Sequence, residues 1–167
     1  MFYGNVDGFK EYFTTRGKVV PEEWDDLKIE SALLVSSEWL DHQFEDSWIG
    51  YKIDFNQERS WPRQSAVVQS FPYHVYKTDE IPEQVVKATY EAAFRELTKQ
   101  GSLQVDFTPN KYKSVSVSGA ISVEYNTLSY ASDVQTEIPV IQNLTSVLMD
   151  STKSGAFSSV SGKVSRV

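Results

Sequence analysis

Residues 21–44 read PEEWDDLKIESALLVSSEWLDHQF, and their apolar rhythm decides the fold class. Ile29, Leu33, Leu40 and Phe44 fall at i, i+4, i+11 and i+15, with Leu34, Val35 and Trp39 widening the stripe. That spacing predicts a helix with one face in a core. Pro21 suits a first helical position, where a missing N–H costs nothing. Glu22, Glu23, Asp25 and Asp26 crowd the first turns, where the helix dipole favours negative charge. The stripe is expected inside and the acids outside.

Working outward, two further helical segments stand on either side. Upstream, Phe9, Tyr12 and Phe13 keep helical spacing over a short helix near Asp7–Thr15, which Gly17 ends. Downstream, Val86, Tyr90, Ala93 and Leu97 keep period over about 82–100, with Pro82 at the start and Gly101 as the stop. Between them runs a connection, about 46–80, that holds Trp48, Tyr51, Phe55, Trp61, Phe71, Tyr73 and Tyr76, with Trp61-Pro62-Arg63 at its centre. Connections of that length without elements of their own tend to be functional.

Beyond residue 110 the period changes to two. Val115, Val117, Gly119, Ile121, Val123 and Tyr125 alternate with Ser114, Ser116, Ser118, Ala120, Ser122 and Glu124, the cleanest strand signal in the chain. One long strand and a hairpin turning at Ser118-Gly119 both fit, because phase is kept through the glycine. Two strands alone are marginal in water, so this unit needs a helix to lie on or strands from a neighbouring molecule. Ile138–Met149 is apolar enough for a further helix or a packing strip. The expected fold is therefore mainly α: a small helical bundle with an inserted β-hairpin or long strand and an extended C-terminal tail. Its parts are a helical core over 1–110, a β unit over 111–130, a packing segment over 131–150 and a flexible docking tail over 151–167.

The tail holds six serines, two glycines and three basic residues, Lys153, Lys163 and Arg166. It cannot bury enough to fold alone, yet Phe157, Val160, Val164 and Val167 dot it as they would a docking peptide.

Charge narrows the function. The net charge is −7, and residues 1–100 carry 11 Lys and Arg against 18 Asp and Glu, while residues 101–167 carry five of each. Such a surface repels phosphate backbones, whose binding rests on Lys and Arg. The absence of cysteine excludes disulfides, thiol nucleophiles and thiolate metal sites. Residues 1–7 carry no signal-peptide pattern, and no apolar run approaches the roughly 18 residues of a membrane span; a soluble product with no membrane partner is expected. His42 and His74 lie apart, without metal-ligand spacing. There is no Gly-rich phosphate loop and no Gly-x-Ser-x-Gly elbow. Asp25 with Asp26, or Asp41 with Glu45, would need a cleft to act as acid and base, and a solvated helix face explains them better. No catalytic residue, cofactor or metal is expected. Tyr51-Lys52, Trp61-Pro62-Arg63, Tyr76-Lys77 and Lys111-Tyr112-Lys113 are local grounds for stacking single-stranded bases, but in an acidic domain these rings read better as packing anchors.

Several stretches together resemble the head-to-tail connector, or adaptor, proteins of tailed bacteriophages, a family sometimes labelled DnaT-like single-stranded-DNA-binding. Phe2-Tyr3-Gly4 before a short helix ending near Tyr12-Phe13 is similar to the family's start, and Trp48-Ile49-Gly50-Tyr51-Lys52 to its aromatic loop. Gln57-Glu58-Arg59-Ser60-Trp61-Pro62-Arg63 resembles its Q-x-L-x-W-P-R signature, with Arg59 where an apolar residue is usual. The stretch from Ile81-Pro82 to Ala92-Ala93 is similar to its IP-x-x-V-x-x-A-x-x-E-x-A helix, and Lys113–Tyr125 to its x-x-V-G-x-x-S-V-x-Y segment. The resemblance spans about residues 1–125.

What the resemblance implies is a non-enzymatic homo-oligomeric ring, commonly a dodecamer, in the virion neck after assembly in the host cytoplasm. It would dock on the portal protein, meet a downstream tail or neck protein, and let DNA pass without specific binding. Under that reading Phe157, Val160, Lys163, Val164, Arg166 and Val167 dock on the portal. Trp61, Pro62, Arg63, Val115, Val117, Ile121, Val123 and Tyr125 serve subunit packing. The alternative is a single-stranded-DNA-binding module.

Overall fold

The computed structural model describes residues 1–68, 73–103, 114–117, 121–124 and 138–150. Helix α1, Val6–Thr14, starts at Asn5, whose side chain accepts from the Gly8 N–H at 2.7 Å, and it turns Phe9 and Phe13 inward. Helix α2 spans Asp26–Phe44. Its start differs from the one predicted at Pro21. Residues 21–24 form a turn in which the Trp24 N–H reaches the Pro21 carbonyl at 3.1 Å. The helix begins where Asp25, in extended backbone, accepts from the Lys28 N–H at 2.8 Å. A side-chain acceptor satisfies an orphan helix donor, which proline cannot do, and so the aspartate sets the boundary.

Helix α3, Glu83–Thr98, lies against α2. Ala88, Ala92 and Ala93 are buried on it, and such small side chains let two backbones approach closely. One apolar cluster fills the space among the first three helices, from Phe9 and Phe13 through Ile29 and Leu33 to Tyr90. A second lies toward the far end of α2, where Leu40 and Phe44 meet Trp48, Trp61, Tyr76 and Val85. Phe44, Trp48, Trp61 and Tyr76 form a continuous edge-to-face series with ring centroids 5.5, 5.9 and 5.8 Å apart. Each such contact adds about 0.5–1.5 kcal/mol beyond the area it buries.

Two positions on α2 depart from the expected pattern. Leu34 is exposed rather than in the core, and Asp41 is buried rather than facing water. Helix α4, Pro139–Thr145, with the 3₁₀ turn Ser146–Leu148, resolves the apolar strip after 138 as helix packed on α3, with Ile141 and Leu148 fully buried. Its end is tied to the end of α2: Ile49 N–H donates to the Leu148 carbonyl at 2.9 Å and Asp150 N–H to the Ser47 carbonyl at 2.8 Å.

The connection after α2 has elements of its own. Strand β1, Tyr51–Lys52, pairs antiparallel with β2, Arg63–Gln64, and β3, Val67–Val68, with β4, His74–Val75. Gly50 enters the first pair at φ 70°, and a Cβ there would stand 2.5 Å from the Gln64 carbonyl oxygen. Strands β5, Ser114–Val117, and β6, Ile121–Glu124, pair antiparallel, which decides for a hairpin over one long strand. Phe71, Lys111-Tyr112-Lys113, Tyr125 and the tail 151–167 lie outside the described residues. Among those described, no helix is long and apolar enough to cross a membrane.

Candidate functional site

The Trp-Pro-Arg stretch is held by a buried polar network that ties the N-terminus to α2 and to the connection. Tyr3 is fully buried. Its hydroxyl donates to Asp41 Oδ1 at 2.6 Å and accepts from the Trp61 N–H at 3.0 Å, while its own N–H donates to Ser37 Oγ at 3.0 Å. One phenol thus bridges three segments far apart in sequence. Burial, then the neighbouring Asp41 charge, pushes the Tyr3 hydroxyl well above the ordinary tyrosine range. Burial also raises the Asp41 carboxyl, with the Tyr3 hydroxyl and the Arg59 guanidinium pulling it partway back.

Arg59 is buried beside this pair. Its Nη1 stands 3.6 Å from Asp41 Oδ2, its Nε donates to the Met1 carbonyl at 2.6 Å, and its Nη2 meets Glu38 and Glu58 at 3.3 and 3.1 Å. Arg63 spends its whole fork on backbone: Nε on the Ile49 carbonyl at 2.9 Å, Nη2 on Gly50 at 2.9 Å and Nη1 on Ser60 at 3.3 Å. A planar guanidinium suits three carbonyls in fixed positions, and burial lowers its pKa from the ordinary value. Gln57 completes the enclosure, its amide donating to the Arg59 and Pro62 carbonyls at 2.7 and 2.8 Å. The Trp61-Pro62 peptide is cis.

Trp61 and Arg63 are therefore committed inside the subunit, with Pro62 half-buried between them. They shape the connection, and their side chains are not on its outer surface. The β5–β6 register sets Val115 opposite Val123 and Val117 opposite Ile121, so the apolar alternation falls into matched pairs. Tyr125 and the six residues assigned to portal docking lie outside the described residues. Of the aromatic–basic neighbours, Tyr76 is buried and Tyr51 exposed. His42 and His74 are both exposed. Asp41 and Glu45 do not form an acid–base pair: the first is locked by Tyr3 and Arg59, and the second faces solvent against Lys52.

Among its exposed polar residues the connection also presents large apolar side chains outward. Phe55 is 98% exposed, and Tyr51, Tyr73 and Val75 are open to solvent. Val67 and Val75 are directly paired across β3–β4, so these two share a face, and Tyr73 is exposed just before β4. The loop carrying Phe55 is well tied: Asn56 N–H donates to Asp54 Oδ1 at 2.7 Å, Gln57 N–H to the Asp54 carbonyl at 3.2 Å and Ile53 N–H to Gln57 Oε1 at 3.2 Å. Sequence reasoning noted these rings without separating the exposed from the buried. It named Tyr3 only as part of the family-like start and Asp41 only as a solvated acid, and did not bring the two together; the available signal was Arg59 in a usually apolar position.

A family model described as "Putative DnaT-like ssDNA binding protein" matches residues 3–167. No curated protein and no solved structure matches the chain. The connector role implied by the sequence resemblance rests on the quoted motifs alone.

Proposed function

This chain belongs to the DnaT-like single-stranded-DNA-binding family over residues 3–167, and from that premise we propose that it works by docking, without catalysis, as a structural subunit of a phage neck ring. The observation that carries this reading is a division of labour in the connection. The two arginines of the stretch 57–63, Arg59 and Arg63, are enclosed by the subunit's own oxygens, while Phe55, Tyr51, Tyr73 and Val75 are exposed. A large ring held outward on an ordered loop suits a partner protein, since aromatic anchors dominate protein interfaces. In a cyclic ring each subunit joins the next through two different faces, which this asymmetric chain can supply. The portal is the proposed partner of Ser151–Val167, and DNA passes an acidic surface that does not hold it.

A second reading, single-stranded-DNA binding, has two observations in its favour: the family's description and the exposed rings of Tyr51, Phe55 and Tyr73, which could stack on bases. The comparison supports this second reading more directly than it supports the neck ring. Against it stand the net charge of −7 and the enclosed arginines.

Light scattering and negative-stain microscopy of the full chain, alone and with portal protein, test the first reading, which expects closed rings. Titration of a fluorescent oligothymidine at low salt tests the second. Tight binding that weakens steeply with salt would establish the DNA reading and displace the ring. Rings without such binding would do the reverse.

A further inference from the structure

Away from the connection, an open cleft of about 960 Å³ lies where the turn after α1 meets the start of α2. Clefts of this size take several side chains at once. It continues past Trp24 and Leu27 into a second hollow that reaches Ala32, Val35 and Leu97, between α2 and the last turns of α3. Its apolar surface is unusually bare: Val19 is 85% and Leu27 73% exposed. Glu22, Glu23, Asp25, Asp26 and Glu96 rim it. The cations lining it are Lys10, Lys18 and Lys28, and each is engaged: Lys10 with Asp26 at 2.7 Å, Lys18 over the rings of Phe13 and Phe94, and Lys28 on the Glu23 carbonyl at 2.9 Å.

The occupant such a cleft fits is an apolar segment of positive charge, and this chain contains one. Residues 151–167 carry Lys153, Lys163 and Arg166 with no acid, and space Phe157, Val160, Val164 and Val167 between serines. We propose that the cleft of one subunit holds Ser151–Val167 of a second copy of the chain. The inference rests on the reading that copies assemble. For Phe157 at the end of the cleft beside Val19, reach favours a second copy over the same one. Asp150 is bonded to Ser47, past the C-terminal end of α2, whereas the cleft sits at that helix's N-terminal end. The 19 residues of α2 span about 28 Å. The seven residues from Asp150 to Phe157 reach about 24 Å when fully extended. A neighbour's cleft imposes no such limit. A segment seated there is not on the portal, so the two contacts are exclusive and would exchange as the ring docks.

The test uses the full chain with Phe157 replaced by photoreactive p-benzoylphenylalanine, prepared as mixed light and ¹⁵N-heavy pools. Irradiation followed by mass spectrometry should give mixed-isotope crosslinks between residue 157 and the stretch 19–27 or Leu97. Leu27→Lys, at an exposed position that leaves folding intact by circular dichroism, should lower that crosslink about tenfold or more, since it sets a charge in the apolar contact. Crosslinks confined to single-isotope pairs, crosslinks to other surfaces, or a yield unmoved by Leu27→Lys would overturn the inference. Light scattering on the same sample separates the two failures. An assembled protein whose crosslinks fall elsewhere loses only this inference, and a monomer loses the assembly reading with it.

Discussion

Replacing Tyr3 by Phe removes one oxygen and keeps the ring in place, so it isolates the bridge on which the connection hangs. That oxygen donates to Asp41 at 2.6 Å and accepts from the Trp61 N–H at 3.0 Å. Without it a buried backbone donor is stranded, at about 1–3 kcal/mol, and a buried carboxyl loses a strong partner worth about 1.5–3 kcal/mol. The two losses share one atom and do not add fully, so a destabilisation of roughly 2–4 kcal/mol is expected. For a chain of this size that lowers Tm by roughly 5–15 °C. Urea unfolding followed by tryptophan fluorescence and near-ultraviolet circular dichroism reads it directly, because Trp61 meets Trp48 edge-to-face beside the bridge. A loss under about 0.5 kcal/mol, the scale of an ordinary surface substitution, would refute the bridge.

The same site makes a pH prediction. The folded pKa of Asp41 is raised, so its stabilising contribution is fully present below the unfolded value of about 3.9 and is lost as pH rises through the folded value. Asp41→Asn cannot ionise and escapes that loss. The stability difference between the two proteins should therefore tilt toward the variant as pH rises above about 4, and a flat difference would contradict the burial argument. Glu45 and Glu58, whose carboxyls are lowered by Lys52 and by the N-terminal ammonium, titrate in the opposite sense in both proteins and cancel.

Gly8→Ala in α1 should destabilise, against the roughly 1 kcal/mol gain usual for this change in a helix, because the new Cβ would meet the Tyr90 hydroxyl at 2.4 Å; Tyr90→Phe in the same chain should recover part of the loss in thermal melts. Asp25→Ala should cost about 0.5–2 kcal/mol by removing the α2 cap, whereas Glu22→Ala, outside the helix, should change stability by less than about 0.5 kcal/mol. Phe55→Ser should leave Tm within a degree or two and abolish ring formation in light scattering; a variant that still assembles would remove Phe55 from the interface.

The apolar period of residues 29–44 and 86–97 was enough to place α2 and α3, because a helix must turn a fixed stripe inward whatever it packs against. Alternation over 114–124 marked strands for the same local reason, and a two-residue period kept through Gly119 carries no information on whether the chain folds back. The start of α2 was misplaced because proline and acids announce a helix N-terminus in general, while the boundary depends on which side chain reaches a free N–H.

The sequence by itself determined a mainly helical chain, its charge and its aromatic connection, since each follows from neighbours along the chain. Only the tertiary structure decided that Tyr3, Asp41 and Arg59 meet, that Trp61 and Arg63 turn inward while Phe55 and Tyr51 turn out, and that Val19 and Leu27 border a cleft. Each depends on how separate segments of the chain come together. Which aromatic ring or charged group is buried depends on where those distant segments come together, and local pattern holds no record of it.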